Sequence, residues 1–244
     1  MHELFAAFAF YTVLPVGHLP LRFERIARFL PVVGLVVGLA LAGLHTLLGA
    51  HVPASIAALL VVLAWLGITG GLHFDGLLDT ADGWAAPPER RLAAMADSGV
   101  GAYAVIVGYA VLAAKTLALA ELGAQAAAAL VLAAVTARWG QVIAIGSYPY
   151  LRPTGKGHFH KQYMRWPTDG LAATAQCLAI CAGVVLFGAP GAIVIRAGLG
   201  GAVAALVAGW VLARRFSGHT GDTYGAIVEL AEATALVLCT PGSF

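Results

Sequence analysis

The sequence predicts an all-α protein: a polytopic integral membrane helical bundle of about seven transmembrane helices plus an N-terminal interfacial or re-entrant helix. Three observations carry that prediction. Of 244 residues, 60% are hydrophobic and only 11% charged, and the mean hydropathy is +0.86. A soluble domain carries about 25% charged residues, so this chain cannot cover a water-facing surface. Apolar stretches long enough to span a bilayer recur along the chain, and the positive charges crowd into alternate loops between them.

Taken in order, His2 to Leu14 is apolar but shorter than the about 20 residues a span needs, and it ends at Pro15 before Arg22, Arg25 and Arg28. It reads as the interfacial or re-entrant helix. With no basic n-region and no small-residue cleavage site, it does not read as a removable signal peptide. The expected spans are then Phe29–Leu48, Ser55–Leu72, Val100–Leu119, Ala124–Ile145, Gly170–Phe187, Ala192–Ala213 and Asp222–Cys239. The second of these is expected to run straight into an aspartate-rich stretch.

With the N-terminus inside, the loops on one side hold eleven of the 14 basic residues, from Arg22 to Arg215. Lys115 is expected to snorkel toward the other side, and Arg138 falls within a span. This bias fits the positive-inside rule and places the acidic clusters on the cytoplasmic side. Residues 1–244 form a single membrane domain, with no linker, low-complexity tail or internal repeat. The lipid bilayer is its implied surroundings. No basic stripe with interleaved aromatics points to nucleic acid. Cys177, Cys181 and Cys239 lie in apolar segments and read as small buried side chains.

The stretch Gly70 to Gly83, GGLHFDGLLDTADG, concentrates the chemistry. Asp75, Asp79 and Asp82 are spaced i, i+4, i+7, so a helix projects them from one face. Bare carboxylates in that array repel one another, and an oxygen-only set suits Mg²⁺, which keeps waters and substrate phosphates in its remaining positions. A solvated acidic helix end is the alternative. His73 reads as a phosphate contact, as a support for an aspartate, or as an interfacial residue. Asp97, at the start of a span, serves equally as an N-cap or as a ligand.

A second polar group opens the last span, His219-Thr220-Gly221-Asp222, followed by Glu229 and Glu232. Thr220 and Asp222 read either as helix N-caps or as site groups. Glu229 lies inside an apolar segment, where an ionisable group costs ~2.5–3.5 kcal/mol on insertion scales and is a functional candidate by default. Arg138 needs an anionic partner, either an internal carboxylate or a substrate phosphate. The basic, glycine-bearing loop at Arg152 to Lys156 reads as a phosphate cover or as an ordinary cytoplasmic loop. It lacks the spacing of a Walker A loop. Together these groups suit transfer of a phosphoryl-linked group at a membrane surface. Asp75, Asp79, Asp82 and Asp222 are the candidate metal ligands. Asp82, Asp97 and Glu229 are the candidate catalytic carboxylates. His73, Arg138, Arg152, Lys156 and Thr220 are the candidate substrate and phosphate contacts.

These motifs resemble the cobalamin synthase family. The pattern G-G-x-H-x-D-G-L-x-D-x-x-D-G stands intact from Gly70 to Gly83, and Asp97-Ser98 with Gly101 is similar to a further family segment. Arg152-Pro153-Thr154-Gly155-Lys156-Gly157 resembles the family's R-x-x-G-x-G loop, and Gly218 to Gly225 with Glu229 resembles its G-x-T-G-D-T-x-G…E signature. Three positions depart from the pattern: Ala137 stands where serine is usual before Arg138, Val13 replaces an arginine and Gly17 a proline. The resemblance covers nearly the whole chain. It implies an adenosylcobinamide-GDP ribazoletransferase in a bacterial cytoplasmic membrane, with its active site on the cytoplasmic side. The reaction would be Mg²⁺-dependent, taking adenosylcobinamide-GDP and α-ribazole or its 5′-phosphate, and releasing GMP. Association into a homo-oligomer or with other cobalamin-assembly enzymes stays open. The rival readings are a CDP-alcohol-type phosphotransferase, whose D-G-x-x-A-R pattern is absent, an aromatic prenyltransferase, whose N-D-x-x-D pattern is absent, and a cation-coupled transporter.

Overall fold

The computed structural model describes residues 2–16, 20–155 and 157–242. Among these, every element is helical, apart from one isolated parallel bridge between Tyr150 and His219. Helix α1 (His2–Tyr11) is followed by α2 (Leu30–Gly49), α3 (Ala54–Ile68) and α4 (Leu72–Ala85). A short α5 (Arg91–Ala94) leads to α6 (Ala102–Glu121), α7 (Ala126–Ser147) and the loop helix α8 (His158–Tyr163). Then come α9 (Thr168–Leu186) and α10 (Gly191–Ile193), which continues through a π-helical stretch, Val194–Leu199, into α11 (Gly200–Phe216). Helix α12 (Gly221–Val237) follows them all.

Among the described residues, five stretches are long and apolar enough to cross a membrane: Ile26–Gly49, Ala102–Glu121, Gly123–Ser147, Thr168–Leu186 and Gly191–Phe216. The α3–α4 pair adds a sixth if its bent path is one crossing. Large apolar side chains on α6, α9 and α11 face outward, with Ile106, Leu117, Leu178 and Val207 all exposed. A contiguous surface of that kind is stable against lipid and not against water. By length and composition the expected count of seven is not confirmed. The seventh expected span is α12, which has only 17 residues and carries Asp222, Glu229 and Glu232.

The second expected span also needs correcting, because it does not run straight into the aspartates. Helix α3 stops at Ile68, and α4 leaves it at a 90° bend. Gly70 and Gly71 make the corner with φ of 60° and 69°, a left-handed conformation that costs glycine little and other residues more. Val13 donates its N–H to the carbonyl of Ile68 at 2.8 Å, which ties the end of the α1 segment to the corner.

Helix α7 is the axis of the bundle: 83% of its most apolar window is buried, against α2, α9, α11 and α12. Helix α12 in turn packs on α4, α6, α7 and α11. A closed charge cluster sits where these helices meet. Lys115 does not snorkel outward, as the sequence suggests; it is 2% exposed and pairs with Glu229 and Glu232, each at 2.6 Å. Its Nζ also lies 4.5 Å from the Trp65 ring centroid. Arg138 pairs with the other oxygen of Glu232 at 2.6 Å. Two bases and two acids from α6, α7 and α12 therefore cancel inside the bundle. Pairing is the condition under which such groups tolerate burial.

Candidate active site

The acid face of α4 is completed by α12 because two glycines let the helices touch. A β-carbon at Gly76 would stand 2.7 Å from the carbonyl oxygen of Asp222, and one at Gly225 would stand 2.7 Å from that of His73. Real β-carbons do not approach so closely, so the backbone contact requires glycine at both positions. The contact carries Asp222 to Asp75 and Asp79, with which it lines one cavity of roughly 350 Å³. The carboxylate of Asp79 lies within electrostatic reach of Asp222, Asp75 and Asp82.

The loop between α7 and α8 supplies the cation. Leu151 N–H donates to the His219 carbonyl at 2.8 Å, and His219 N–H donates to that of Pro149 at 2.9 Å. This small parallel bridge fixes the loop to the start of α12, and Arg152 consequently meets Asp222 at 2.9 Å. Arg152 is the one Lys or Arg side chain lining the cavity among the described residues, against three carboxylates. The cavity therefore has an acid excess that a cation would relieve. Tyr150 stands beside them. Burial pushes its hydroxyl pKa up, while backbone N–H groups of Gly221 and Gly157 act in the opposite direction.

The other wall is aromatic. Tyr11 of α1 and His160 of α8 share a hydrogen bond of 2.9 Å between Oη and Nε2. The Tyr11 ring stacks between His160 and His73, with centroid separations of 5.6 and 6.0 Å. Burial drives the His160 pKa down to about 3, so its ring is neutral in ordinary buffers. Tyr224 of α12 closes this wall, tilted against Tyr150.

Of the residues singled out in the sequence, Asp75, Asp79, Asp222, Arg152 and His73 line the cavity. Thr220 is the N-cap of α12: its hydroxyl accepts the Thr223 N–H at 3.3 Å in a capping box and reaches Asp222 Oδ2 at 3.2 Å. Asp82 accepts the Gly101 N–H at 2.8 Å, which joins the far end of α4 to the start of α6. Asp97 is exposed, and its carboxylate accepts the Gly99 N–H at 3.0 Å. It does not line the cavity. Glu229 and Arg138 are not brought there either; both are held in the closed cluster. Lys156 lies outside the described residues.

Tyr11, Tyr150, His160 and Tyr224 were not singled out from the sequence. Tyr11 lies in the apolar N-terminal segment and the other three lie in or near the stretches noticed for charged residues, and aromatic residues in an apolar chain carry no signal of their own. A larger cavity of roughly 700 Å³ lies between α2, α7 and α9. No ionisable side chain lines it, so size alone does not mark the chemistry.

Among the described residues, no three His, Cys, Asp or Glu side chains already close around a point as a metal cage. The donors nevertheless fit Mg²⁺: they are all oxygens, they converge on an open cavity, and Mg²⁺ typically uses one or two carboxylates with substrate phosphates completing its shell.

The family described as Cobalamin-5-phosphate synthase matches residues 3–240. The chain belongs to that family. Adenosylcobinamide-GDP ribazoletransferase of Trichormus variabilis is 43% identical, covering 98% of this chain and 96% of the relative. The protein of the same name from a Synechococcus strain is 42% identical over 98% and 96% of the two chains. That from Thermosynechococcus vestitus is 39% identical over 99% and 97%. No solved structure matches the chain. The cobalamin-5-phosphate synthase match thus spans α1, which supplies Tyr11, and α12, which supplies Asp222.

Proposed function

We propose that the chain is an adenosylcobinamide-GDP ribazoletransferase of a bacterial cytoplasmic membrane. It joins α-ribazole, or its 5′-phosphate, to adenosylcobinamide-GDP, giving adenosylcobalamin, or its 5′-phosphate, and GMP. Family membership and the relatives' shared name support the activity. The observation that carries the assignment to this cavity is the meeting of Asp222 with Asp75 and Asp79 beside Arg152.

Asp75, Asp79 and Asp222 are the residues that would hold Mg²⁺, with Asp82 one turn further along the same helix. When bound, the ion supplies neutralisation of the pyrophosphate and of the charge on departing GMP. Arg152 steadies the phosphate oxygens. The attacking hydroxyl of α-ribazole forms the new O–P bond as the bond to GMP breaks, and an α4 carboxylate free of metal takes its proton. The corrinoid is far larger than the cavity, so its ring stays outside while its pyrophosphate enters. The crowding of basic residues into alternate loops supports a site on the cytoplasmic side, where these polar substrates are.

The deep acids do not favour the transporter reading. Glu229 and Glu232 are both paired with buried bases and almost wholly enclosed. The test of the enzyme is direct. Purified protein in lipid is given adenosylcobinamide-GDP, α-ribazole and Mg²⁺, and GMP is followed. GMP release that stops on chelation is expected; an unchanged corrinoid with no GMP overturns the proposal.

A further inference from the structure

The aromatic wall opposite the carboxylates carries a polar feature that the phosphate chemistry does not use. Tyr11 Oη and His160 Nε2 share one hydrogen bond. If the hydroxyl donates, the neutral imidazole carries its own hydrogen on Nδ1, a buried atom without a partner. If Nε2 donates, the phenolic hydrogen is the one left over. In either tautomer the pair retains one unused donor. Tyr224 Oη is a buried hydroxyl without a partner, and both tyrosines and His160 line the same cavity. Buried donors left unused on a cavity wall cost stability unless something in the cavity accepts from them.

The size of the space restricts what that can be. Roughly 350 Å³ lies at the lower end of the ~300–1,000 Å³ found for small-molecule sites. It accommodates a nucleoside and excludes a corrinoid. Its lining combines Asp75, Asp79, Asp222 and Arg152 with the mutually packed rings of Phe10, Tyr11 and His160. A ligand that satisfies both groups is a sugar carrying a flat heteroaromatic base with an unprotonated ring nitrogen. The sugar hydroxyls go to the charged groups and the base to the rings.

We propose that this cavity holds the binding subsite of the acceptor, α-ribazole, with the Tyr11–His160 pair donating to the ring nitrogen of its base and the Tyr224 hydroxyl donating to an oxygen of its sugar. The inference rests on the transferase reading above and adds to it where in the cavity the acceptor sits, beside the donor's pyrophosphate, and by which atoms it is held. Recognition by an aromatic face and one hydrogen bond selects for a planar acceptor nitrogen and leaves the corrinoid donor untouched. Tyr11 is then a specificity residue supplied by α1, an element outside the acid motifs.

The experiment compares full-length wild type with Tyr11→Phe and Tyr224→Phe in lipid nanodiscs. Binding of α-ribazole alone is measured by calorimetry, and KM for each substrate is taken from GMP release. Loss of one hydrogen bond weakens α-ribazole binding about fivefold. Tyr11→Phe is expected to raise the Kd and KM for α-ribazole by that factor and to leave KM for adenosylcobinamide-GDP unchanged. Tyr224→Phe removes a hydroxyl that has no partner in the fold, so it leaves folding intact and is expected to act in the same direction. An unchanged α-ribazole Kd in Tyr11→Phe overturns the subsite. So does an equal rise in both KM values, which would mark general damage to the site. GMP release by wild type tests the transferase reading separately, so the two can fail independently.

Discussion

Two charged regions sit within a few turns of each other in this apolar chain, and they are opposites. The cluster of Lys115, Arg138, Glu229 and Glu232 is balanced in charge and sealed. The cavity of Asp75, Asp79 and Asp222 with Arg152 is unbalanced and open. Judged by depth in apolar sequence, the first looks more functional than the second, since an ionisable group within a membrane segment marks a site by default. The structure reverses that order. What separates a site from a support here is residual charge facing a space, because neutral pairing leaves no field for a substrate to answer.

The sharpest way to break this comparison is to remove charge from each region in turn. Asp79→Asn is expected to lower the rate of GMP release by about a thousandfold, as for loss of a key electrostatic group, with the protein still folded. A variant that turns over normally would remove Asp79 from the site. Lys115→Met is expected to do the reverse, destabilising the fold by about 3–5 kcal/mol because it strands buried carboxylates. Thermal unfolding in detergent reads this, and adding Glu229→Gln should recover part of the loss. If Lys115→Met is as stable as wild type, the cluster is not a support.

Smaller effects sharpen the contrast. Gly225→Ala puts a methyl group against the His73 carbonyl, an overpacking that costs about 1–3 kcal/mol. It should also lower turnover, because Asp222 is displaced from α4. Loss of stability without loss of turnover would show that the helix contact does not set the site. Arg152→Ala is expected to cost about tenfold in kcat/KM for adenosylcobinamide-GDP, the loss of a charge-assisted hydrogen bond at a partly exposed position. An unchanged value would free Arg152 from the donor's phosphates.

Much of this was legible in the sequence. Composition announced the membrane bundle, and helical spacing put three aspartates on one face. The polar start of α12 pointed to a second half-site. The aspartate stretch also carries Gly76, where the backbones of α4 and α12 touch. The 90° corner at Gly70–Gly71 was not visible, because hydropathy counts apolar residues without recording the direction of the chain. Lys115 was misplaced for a related reason. Its partners lie more than a hundred residues away on α12, and no local pattern discloses a pair at that separation. Tyr11 and His160 escaped because their role comes from a contact between α1 and α8, across 149 positions.

Helix α12 delivers Asp222 to the cavity and both Glu229 and Glu232 to the buried bases. It also follows every other helix in the order of synthesis. The carboxylates that pair with Lys115 and Arg138 are therefore synthesised after both bases. The arrival of α12 completes the charge pairing and the site in one event. A change that weakens the docking of α12 therefore affects the buried charge pairing and the cavity together.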